Sequence, residues 1–541
     1  MNRNQAKKLA ECMLVEADRA LRSIKSPGYP RPYYVSYLLR DQESWELKAR
    51  FGALTHDEHR HRRPCFCDMR VGSYRYDHVQ DGGLSYSSRD DESFAYSFLP
   101  FGGDVEGLRH SLWRLAETRY RESVESLAQK KSQELTYLDR NRSFASFEKR
   151  PTTVDVRLSR LTPVDVDHWR RFVIKASALL RKFPAIKNSS VRFAVTHQVK
   201  LFVSTDGSMQ VQNASYWNLE AYLWLLAKSG DAFPWTINYF VTDPTELPDA
   251  RRFHAEIRST VALLEKLAEA PPLRAYAGPV LLDPGPAGLL IHEALGHRLE
   301  GNRMLSSGEG QTFRDSLGHA VLPEFLSIAD EPCRARFDGR SLVGHYRFDD
   351  EGVPAGDATL IDRGVLKTFL TSRAPIAKRH HSNGHARNES YERPISRMAV
   401  TRVIPHEGLS DEELKAELIE EIRHQGLPYG IRILRASGGE TTTDAYDFQA
   451  FLGEINLASR VYPDGREEWI RGVDFVGTPL NATRSIIATG SRVEIDNAFC
   501  GAESGWVPVT TISPALLVAH LELQAKSDAP FTQFAYPMPW E

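Results

Sequence analysis

Long hydrophobic runs are absent from this chain. No window of its 541 residues approaches the roughly 18 consecutive apolar residues that a helix needs to cross a bilayer. The N-terminal segment carries a charge every few residues, so it also lacks the uninterrupted apolar stretch of a secretory signal. These two absences predict a protein of the cytoplasm without membrane association.

Cysteine is scarce, with five residues in the whole chain. An odd number of cysteines in a long chain argues against a disulfide framework and favours a reducing compartment. An excess of positive charge is absent as well, since 68 Lys and Arg are balanced by 71 Asp and Glu, and the basic residues do not gather into one stripe. The composition therefore argues against nonspecific nucleic-acid binding, which depends on a basic surface.

The overall composition is that of an ordinary globular protein, with 41% hydrophobic and 26% charged residues. Single hydrophobic cores stop growing near about 250 to 300 residues, so a chain of 541 residues predicts two domains. Pro271 and Pro272 interrupt the pattern near the middle of the chain, and we place the boundary there. The predicted domains are residues 1–272 and 273–541.

The first predicted domain has the pattern of a mixed α/β fold. Apolar residues at helical spacing predict helices near Leu9 to Ala17 and at about 107–134, 163–182 and 249–269. Runs rich in aromatic and β-branched residues predict strands at 33–39, 45–51, 191–196 and 199–204.

The second predicted domain consists mainly of short runs between turn residues. Strands are predicted at 279–282, 359–361, 365–370, 431–434 and 485–489. This spacing indicates a large, mostly antiparallel sheet with one or two helices laid on it, and the fold class of the whole chain is therefore α+β.

The most informative segment is VLLDPGPAGLLIHEALGHRLEGN, from Val280 to Asn302. A short apolar strand leads through a turn to Pro286, which suits the first position of a helix because its missing N–H needs no partner there. Gly301 stands where a left-handed C-cap is expected. The pattern predicts a helix of about four turns that carries His292, Glu293, His297 and Glu300.

Two histidines on this helix are spaced unusually for a metal site. In the pattern HExxH the histidines are four residues apart, about 40° around the helix, and one ion reaches both. His292 and His297 are separated by five positions, which is about 140° on a regular α-helix. A shared ion therefore requires a locally unwound helix, and Gly296 makes a π-bulge or a break inexpensive.

A metal at this position would give each side chain a chemical role. The imidazoles of His292 and His297 are good zinc ligands, and Glu293 is placed to act as the general acid and base for a water molecule. A third protein ligand must come from elsewhere. Cys500, beside Gly501, and Glu300, one turn after His297, are both candidates, and the spacing does not choose between them.

A simpler interpretation treats this helix as a solvated surface. Glu293, His297 and Glu300 lie at positions i, i+4 and i+7 and could form a charged face with mutual salt bridges. The neighbouring leucines, among them Leu295 and Leu299, argue for burial instead, and buried ionisable groups need partners such as a metal.

Several motifs in order make the resemblance to one family specific. The run HEALGHRLEG resembles the HExxxH signature of the TldD/PmbA metallopeptidases, and DDEGVPAG at 349–356 is similar to the family's DDEG turn. The segment Ser382–Met398 resembles its glycine- and arginine-bearing segment. Three shorter matches follow in the expected order at 437–439, 477–480 and 500–501.

The resemblance implies one zinc ion per site, held by His292, His297 and Cys500, with Glu293 as catalytic acid and base. It places the chain with the TldD-like catalytic members, which cut unfolded or extended peptides in the enclosed cavity of a dimer. The dimer would be a homodimer or a heterodimer with a PmbA-like partner that lacks the motif, and residues 1–272 would serve dimerisation and enclosure. Asn302 departs from the Asp that is usual there.

Other residues are weaker candidates. Substrate binding is predicted for Arg387, Arg393 and Arg397, which lie in the family-like segment, and for Gly438 and Gly439. The group His56, His59, His61, Cys65 and Cys67 matches no familiar zinc motif and is interpreted as a polar loop rather than a structural metal site. The basic stretch 378–381 is interpreted as a solvated loop.

Three functions remain open at the level of sequence. The first is a zinc peptidase acting on flexible peptides. The second is a non-catalytic assembly or regulatory protein in which the metal only joins helix to sheet. The third is a zinc hydrolase acting on a small amide.

Overall fold

The structure is a computed structural model. It describes residues 1–84, 98–101, 105–136, 145–306, 308–376, 381–390, 392–441, 443, 451–477, 479–526 and 530–540. Among the helices of these residues, none has both the length and the apolar character that crossing a membrane requires.

The N-terminal half is built on one sheet with helices packed on its apolar side. Its elements are, in chain order, α1 (Arg3–Ser23), β1 (Pro32–Arg50), β2 (Ala53–Arg62), β3 (Cys65–Val71), α2 (Val105–Thr136), β4 (Val154–Val156), α3 (Val166–Leu179), β5 (Ile186–Ser204), β6 (Met209–Leu226), β7 (Ala232–Val241) and α4 (Ala250–Ala268). The last helix shows why these segments fold locally. Asp249 accepts a hydrogen bond from the N–H of Arg252 as its N-cap, and Phe253, Ile257 and Val261 recur at helical spacing and are buried.

The strands of this half follow the order β2-β1-β5-β6-β4, with β3 also paired to β1 and β7 to β6. Side chains alternate across each strand, so the odd-numbered residues Leu47, Phe193 and Trp217 enter the apolar core under the helices. Even-numbered residues in the middle of β1 and β5, such as Gln42 and Gln198, lie on the opposite face, which is polar there.

The C-terminal half contains a larger sheet. Its elements are β8 (Ala275–Leu282), α5 (Pro284–Ile291), β9 (Leu326–Asp330), β10 (Arg336–Phe337), β11 (Arg340–Ser341), β12 (Ala358–Asp362), β13 (Val365–Leu366), β14 (Ala386–Arg387), β15 (Ile395–Ser396), β16 (Val400–Pro405), α6 (Asp411–His424), β17 (Gly430–Thr441), β18 (Phe451–Val461), β19 (Glu467–Ile470), β20 (Val473–Gly477), α7 (Pro479–Arg484), β21 (Ile486–Ala502) and β22 (Gly505–Ala525).

Eleven of these strands form one sheet in the order β13-β12-β9-β16-β22-β20-β18-β17-β8, with β19 on β18 and β21 on β22. The pairs β16–β22 and β8–β17 are parallel, and the other pairs within this sheet are antiparallel. The largest apolar core lies between this sheet and α5. The predicted α+β class and mostly antiparallel sheet are confirmed.

Several predicted boundaries differ from the structure. β1 is continuous where two strands are predicted, and so is β5, because hydrogen bonding continues through polar positions such as Asp41 and His197. The described part of the C-terminal half has three α-helices rather than one or two. The sequence places only the helix that carries the histidines and omits both α6 and α7, although α6 has a capping box formed by Ser410 and Glu413.

The histidine and cysteine group of the N-terminal half is not the polar loop predicted from sequence. His56, His59 and His61 lie on β2, where their side chains are substantially exposed, and Cys65 and Cys67 lie buried on β3. The two strands pair with different parts of β1, with His59 opposite Trp45 and Cys67 opposite Tyr37, so the histidines and cysteines do not gather at one point. Within the described residues, a potential metal-binding group forms elsewhere.

Candidate metal centre

The helix that carries the two histidines changes its winding at the site. The α-helix ends at Ile291, residues His292–Gly296 form a π turn, and the N–H of His297 donates to the carbonyl of His292. A π turn closes its hydrogen bond five residues along the chain, so residues five apart lie above one another. The two imidazole rings are therefore neighbours, with centroids 5.1 Å apart and planes at 89°. The distortion that the spacing required is confirmed.

Two glycines shape this segment, one of them differently from the prediction. A Cβ on Gly296 would lie 2.1 Å from Sδ of Met398, so the π turn packs against a side chain that leaves room for glycine alone. Gly301 is not a left-handed cap, because the regular helix has already ended at Ile291. Its missing side chain instead lets its N–H reach the carbonyl of Leu370 at 2.8 Å.

Cys500 reaches the two histidines from the long hairpin of β21 and β22. Its Sγ lies 3.3 Å from Nε2 of His292 and 3.4 Å from Nε2 of His297. The three donor atoms lie within 4.8 Å of one another, and all three residues are buried. Two imidazoles and a thiolate form a set of three protein ligands that suits catalytic zinc.

The charges of the site favour a thiolate. Burial by itself would raise the pKa of Cys500, but His297, His292 and Arg397 lower it well below the ordinary value of a thiol. Burial likewise opposes the charged form of His297, whereas Cys500 and Glu300 raise its pKa to about 10. The thiolate is the form of cysteine that binds metals.

Glu300, the alternative third ligand, lies behind the site. Its Oε2 is 3.2 Å from Nδ1 of His297, the ring nitrogen that does not face Cys500, and accepts hydrogen bonds from Arg303. Although burial opposes ionisation, His297 and Arg303 hold the pKa of Glu300 down at about 2. The carboxylate therefore orients the imidazole, as outer partners of ligating histidines do.

Glu293 lies beside the donors in the wall of the same cavity. Its side chain packs against the backbone of Gly439, where an added Cβ would lie 2.8 Å from Oε1. Burial raises its pKa above the usual range, although His292 and His297 oppose the shift. Glu293 and His297 are 6% exposed and Glu300 is 1% exposed, which excludes the solvated helix face.

The cavity in front of the donors has a volume of about 740 Å³. Gly438 and Gly439 of β17 line one side of it, and Phe499 of β21 lines another. The structure thus brings both glycines that were predicted to bind substrate to the cavity wall.

The three predicted arginines are placed differently, and none of them lines this cavity. Arg387 donates to the carbonyls of Met398 and Pro508, and Arg393 forms an ion pair with Asp68 at 2.8 Å. Arg397 is 0% exposed and contacts Cys500 from within the protein. The remaining basic residues 378–380 lie outside the described residues, and His381 is exposed.

Sequence reasoning did not identify two arginines that follow the histidines. Arg298 donates to the carbonyl of Glu293 at 2.8 Å, and Arg303 bridges Glu300 and Glu503. The spacing of Glu300 and Arg303, three residues apart, was the available signal for the second of them.

Asn302, which departs from the family's usual Asp, links the two halves of the chain. Its amide N–H donates to the carbonyl of Gly82, and its Oδ1 accepts from Ser372 and from the N–H of Ser396. An ionised carboxylate could accept hydrogen bonds but could not donate one to Gly82. Asn302 therefore donates a hydrogen bond to Gly82 that an ionised Asp at this position could not donate.

The chain is similar to several known proteins. Residues 276–525 match the family model for the PmbA/TldA metallopeptidase C-terminal domain. A protein of Archaeoglobus fulgidus named Metalloprotease is 33% identical over 262 residues, which are 48% of this chain and 55% of that protein. The zinc metalloprotease TldD homolog of Saccharolobus solfataricus is 28% identical over 247 residues, 45% of this chain and 51% of that protein. The chain thus spans about half the length of these curated relatives.

The fold extends the likeness over the rest of the chain. The crystal structure of TldE from Thermococcus kodakarensis superposes with a TM-score of 0.61 at 13% identity, and the match covers 96% of this chain and 100% of that one. At this identity the likeness concerns the fold alone. The family match shows that residues 276–525 belong to the PmbA/TldD family.

Proposed function

We propose that this chain is a zinc-dependent peptidase that cleaves unfolded or extended peptides. The observation that carries the proposal is the convergence of His292, His297 and Cys500 within 4.8 Å, beside the carboxylate of Glu293 in a cavity. The names of the curated relatives, metalloprotease and zinc metalloprotease, support the same reaction class.

The residues of the site have distinct tasks in this proposal. His292, His297 and Cys500 would hold zinc, which when bound polarises the scissile carbonyl and lowers the pKa of water toward about 7. Glu293 takes the proton of the attacking water and passes it to the leaving amine. Burial raises the pKa of Glu293 above its usual range, which favours the protonated form that donates to the leaving amine.

An open strand edge supports an extended substrate. Within the described residues, β17 pairs with β8 only over Ile431–Ile433, so its backbone beyond that point pairs with β18 alone. The far end of β17, from Gly438 to Thr441, lines the cavity. A peptide that adds to this edge in extended form would lie across the cavity, next to Glu293.

The chain is further proposed to act in the cytoplasm as a dimer, either with a second copy or with a PmbA-like partner that lacks the metal residues. All five cysteines are free, in keeping with a reducing compartment. The large rings of Phe499 and Trp506, 50% and 62% exposed at the cavity wall, are surfaces that a partner could cover. The mass of the purified protein in solution, alone and mixed with such a relative, tests this.

Substitution of the proposed base tests the reaction. The variant Glu293→Gln should retain one zinc per chain but lose cleavage of an unfolded casein-like substrate by about 100-fold or more. Glu407→Gln is a matched control, because it removes an exposed carboxylate that does not line the cavity. Its kcat should stay close to that of the wild type.

The other functions predict different outcomes of the same experiment. A purely structural metal leaves no peptidase activity to lose, so Glu293→Gln would change nothing while Cys500→Ser lowers stability. A small-amide hydrolase would act on short amides and leave casein intact. Cleavage of unfolded chains that survives in Glu293→Gln would contradict the proposed role of this residue.

A further inference from the structure

A second cleft lies between the two halves of the chain, directly beside the metal cavity. Its volume is about 460 Å³. The two spaces share Phe499 and Trp506 in their walls, and both rings are at least half exposed. A peptide that leaves the metal centre past these rings therefore has a route into the second cleft.

One wall of the cleft is the polar face of the N-terminal sheet. The strand register places Arg62 opposite Gln42 and Gln42 opposite Gln198, while Arg40 stands opposite Lys200. Residues paired across neighbouring strands point to the same side of the sheet. The register therefore collects several cationic and amide groups on one wall, and all of these residues line the cleft.

The acidic groups of the cleft are already engaged by the protein. Asp350 is paired with Arg40 at 3.0 Å and with Lys200 at 2.6 Å. Asp349 accepts three backbone N–H groups, and Glu389 accepts the N–H of Trp506. The carboxylate of Asp350 therefore balances positive charge of Arg40 and Lys200, whereas these acidic groups do not pair with the arginines on β2.

Two arginines of the edge strand β2, Arg60 and Arg62, carry positive charge that is available to a ligand. In the part of the chain that the structure describes, the side chain of Arg62 forms no ion pair or hydrogen bond. Arg60 is 48% exposed and pairs with Glu58 on its own strand. An exposed pair of this kind is weak, so a ligand can compete for the guanidinium.

We propose that this cleft binds a carboxylate of the peptide substrate through Arg60 and Arg62. The inference rests on the proposed peptidase function and adds a substrate class to it, namely peptides with an acidic side chain or a free C terminus beyond the scissile bond. The planar guanidinium suits a carboxylate because it can donate two parallel hydrogen bonds.

Three peptides of one sequence test the proposal on the full-length, zinc-loaded protein. The first has Glu at a position beyond the scissile bond and an amidated C terminus, the second has Gln and a free C terminus, and the third has Gln and an amidated C terminus. We expect one of the first two to have a KM about fivefold lower than the third, the effect of one exposed ion pair. The peptide with the lower KM identifies the source of the carboxylate.

Substitutions locate the effect. The double variant Arg60→Gln with Arg62→Gln should abolish the difference in KM between the charged and the neutral peptides. Arg50→Gln is the matched control, since it removes the same charge from the same hairpin outside the cleft. Equal KM values for all three peptides, or an equal effect of Arg50→Gln, would overturn the proposal.

Binding separates this inference from the proposed reaction. Fluorescence anisotropy of labelled peptides with the Glu293→Gln variant measures affinity without cleavage. If labelled peptides bind according to their charge but the wild-type protein cleaves none of them, the proposed peptidase function is refuted and carboxylate binding in the cleft is supported. If the wild-type protein cleaves the peptides and neither affinity nor KM depends on their charge, carboxylate binding in the cleft is refuted and the peptidase function is supported.

Discussion

Arg397 lies against the sulfur of Cys500, with its Nη2 3.2 Å from Sγ and 2.7 Å from the carbonyl of the same residue. The Nε of Arg397 is 3.4 Å from Oε1 of Glu300, which orients His297. The buried guanidinium of Arg397 thus contacts one proposed metal ligand, Cys500, and the carboxylate that orients another, His297. The sequence analysis predicts substrate binding for Arg397 instead.

The first prediction is that Arg397→Gln weakens zinc binding by about 10- to 100-fold, the usual cost of losing an outer partner of metal ligands. A competition titration with a chelator measures the affinity. Arg397→Lys should restore only part of it, because a single ammonium cannot bridge Cys500 and Glu300 as the fork does. Unchanged affinity in Arg397→Gln, with the fold intact by circular dichroism, would contradict this role.

The second prediction concerns Gly439, whose backbone packs against Glu293. A Cβ there would lie 2.7 Å from Cγ of Glu293 and 2.9 Å from Cδ1 of Leu289, so Gly439→Ala displaces the proposed base. We expect kcat to fall by about tenfold or more with zinc content unchanged, because small misplacements of reacting groups are costly. Gly426→Asn is the control, since Gly426 lies outside the cavity, has φ +65° with no atom within 4 Å of its Cβ position, and Asn tolerates that conformation. A full kcat in Gly439→Ala would show that Glu293 needs no such support.

The central part of the site could be predicted from the sequence because it depends on local spacing. His292 and His297 are five residues apart with Gly296 between them, and that spacing already requires a distorted turn if one ion is shared. Cys500 follows more than 200 residues later, separated by 208 positions from His292. Its place as third ligand was implied by family resemblance, and spacing left Glu300 equally open.

The surroundings of the site could not be predicted, because they depend on how distant segments pack. The sequence analysis predicts substrate binding for Arg393, but in the fold this side chain pairs with Asp68, 325 positions away in the chain. The polar wall of the second cleft depends on the register that aligns Arg62 with Gln42 and Gln198. Gln42 and Gln198 are 156 positions apart, and a single sequence does not show which distant strands pair.

The third prediction is a pH dependence of stability at the junction of the two halves. Burial, with Arg393 beside it, lowers the pKa of His78 from 6.5 to about 3. Between these values the unfolded chain binds a proton that the folded chain does not, so His78 contributes stability that is present above pH 6.5 and is lost as the pH falls toward 3. From pH 7 to pH 5 the loss is about 2 kcal/mol.

His78→Gln removes this titration and should flatten the dependence by that amount. Urea unfolding of both proteins at pH 7 and pH 5 gives the comparison. His110→Gln is a suitable control, since His110 is exposed on α2. If the wild type and His78→Gln lose equal stability on acidification, the burial of a neutral His78 is not what destabilises the protein in acid.

The last prediction tests the packing that shapes the π turn. Gly296→Ala would place a Cβ 2.1 Å from Sδ and 2.8 Å from Cε of Met398, so it should destabilise the protein by about 1–3 kcal/mol, as overpacking does. It should also lower zinc content, because the turn that aligns His292 with His297 must shift. Gly285→Ala, with nothing within 4 Å of its Cβ, should be neutral or slightly stabilising.

A double-mutant cycle separates this contact from a general intolerance of the segment. Met398→Ala alone should cost about 2–5 kcal/mol through the cavity it leaves. Combined with Gly296→Ala it should cost less than the sum of the single changes by about 0.5–3 kcal/mol, because the new methyl group then has space. Zinc content should recover in the double variant for the same reason. Strict additivity in both stability and zinc content would mean that Met398 does not determine the glycine at this position, and that the π turn is set by backbone conformation instead.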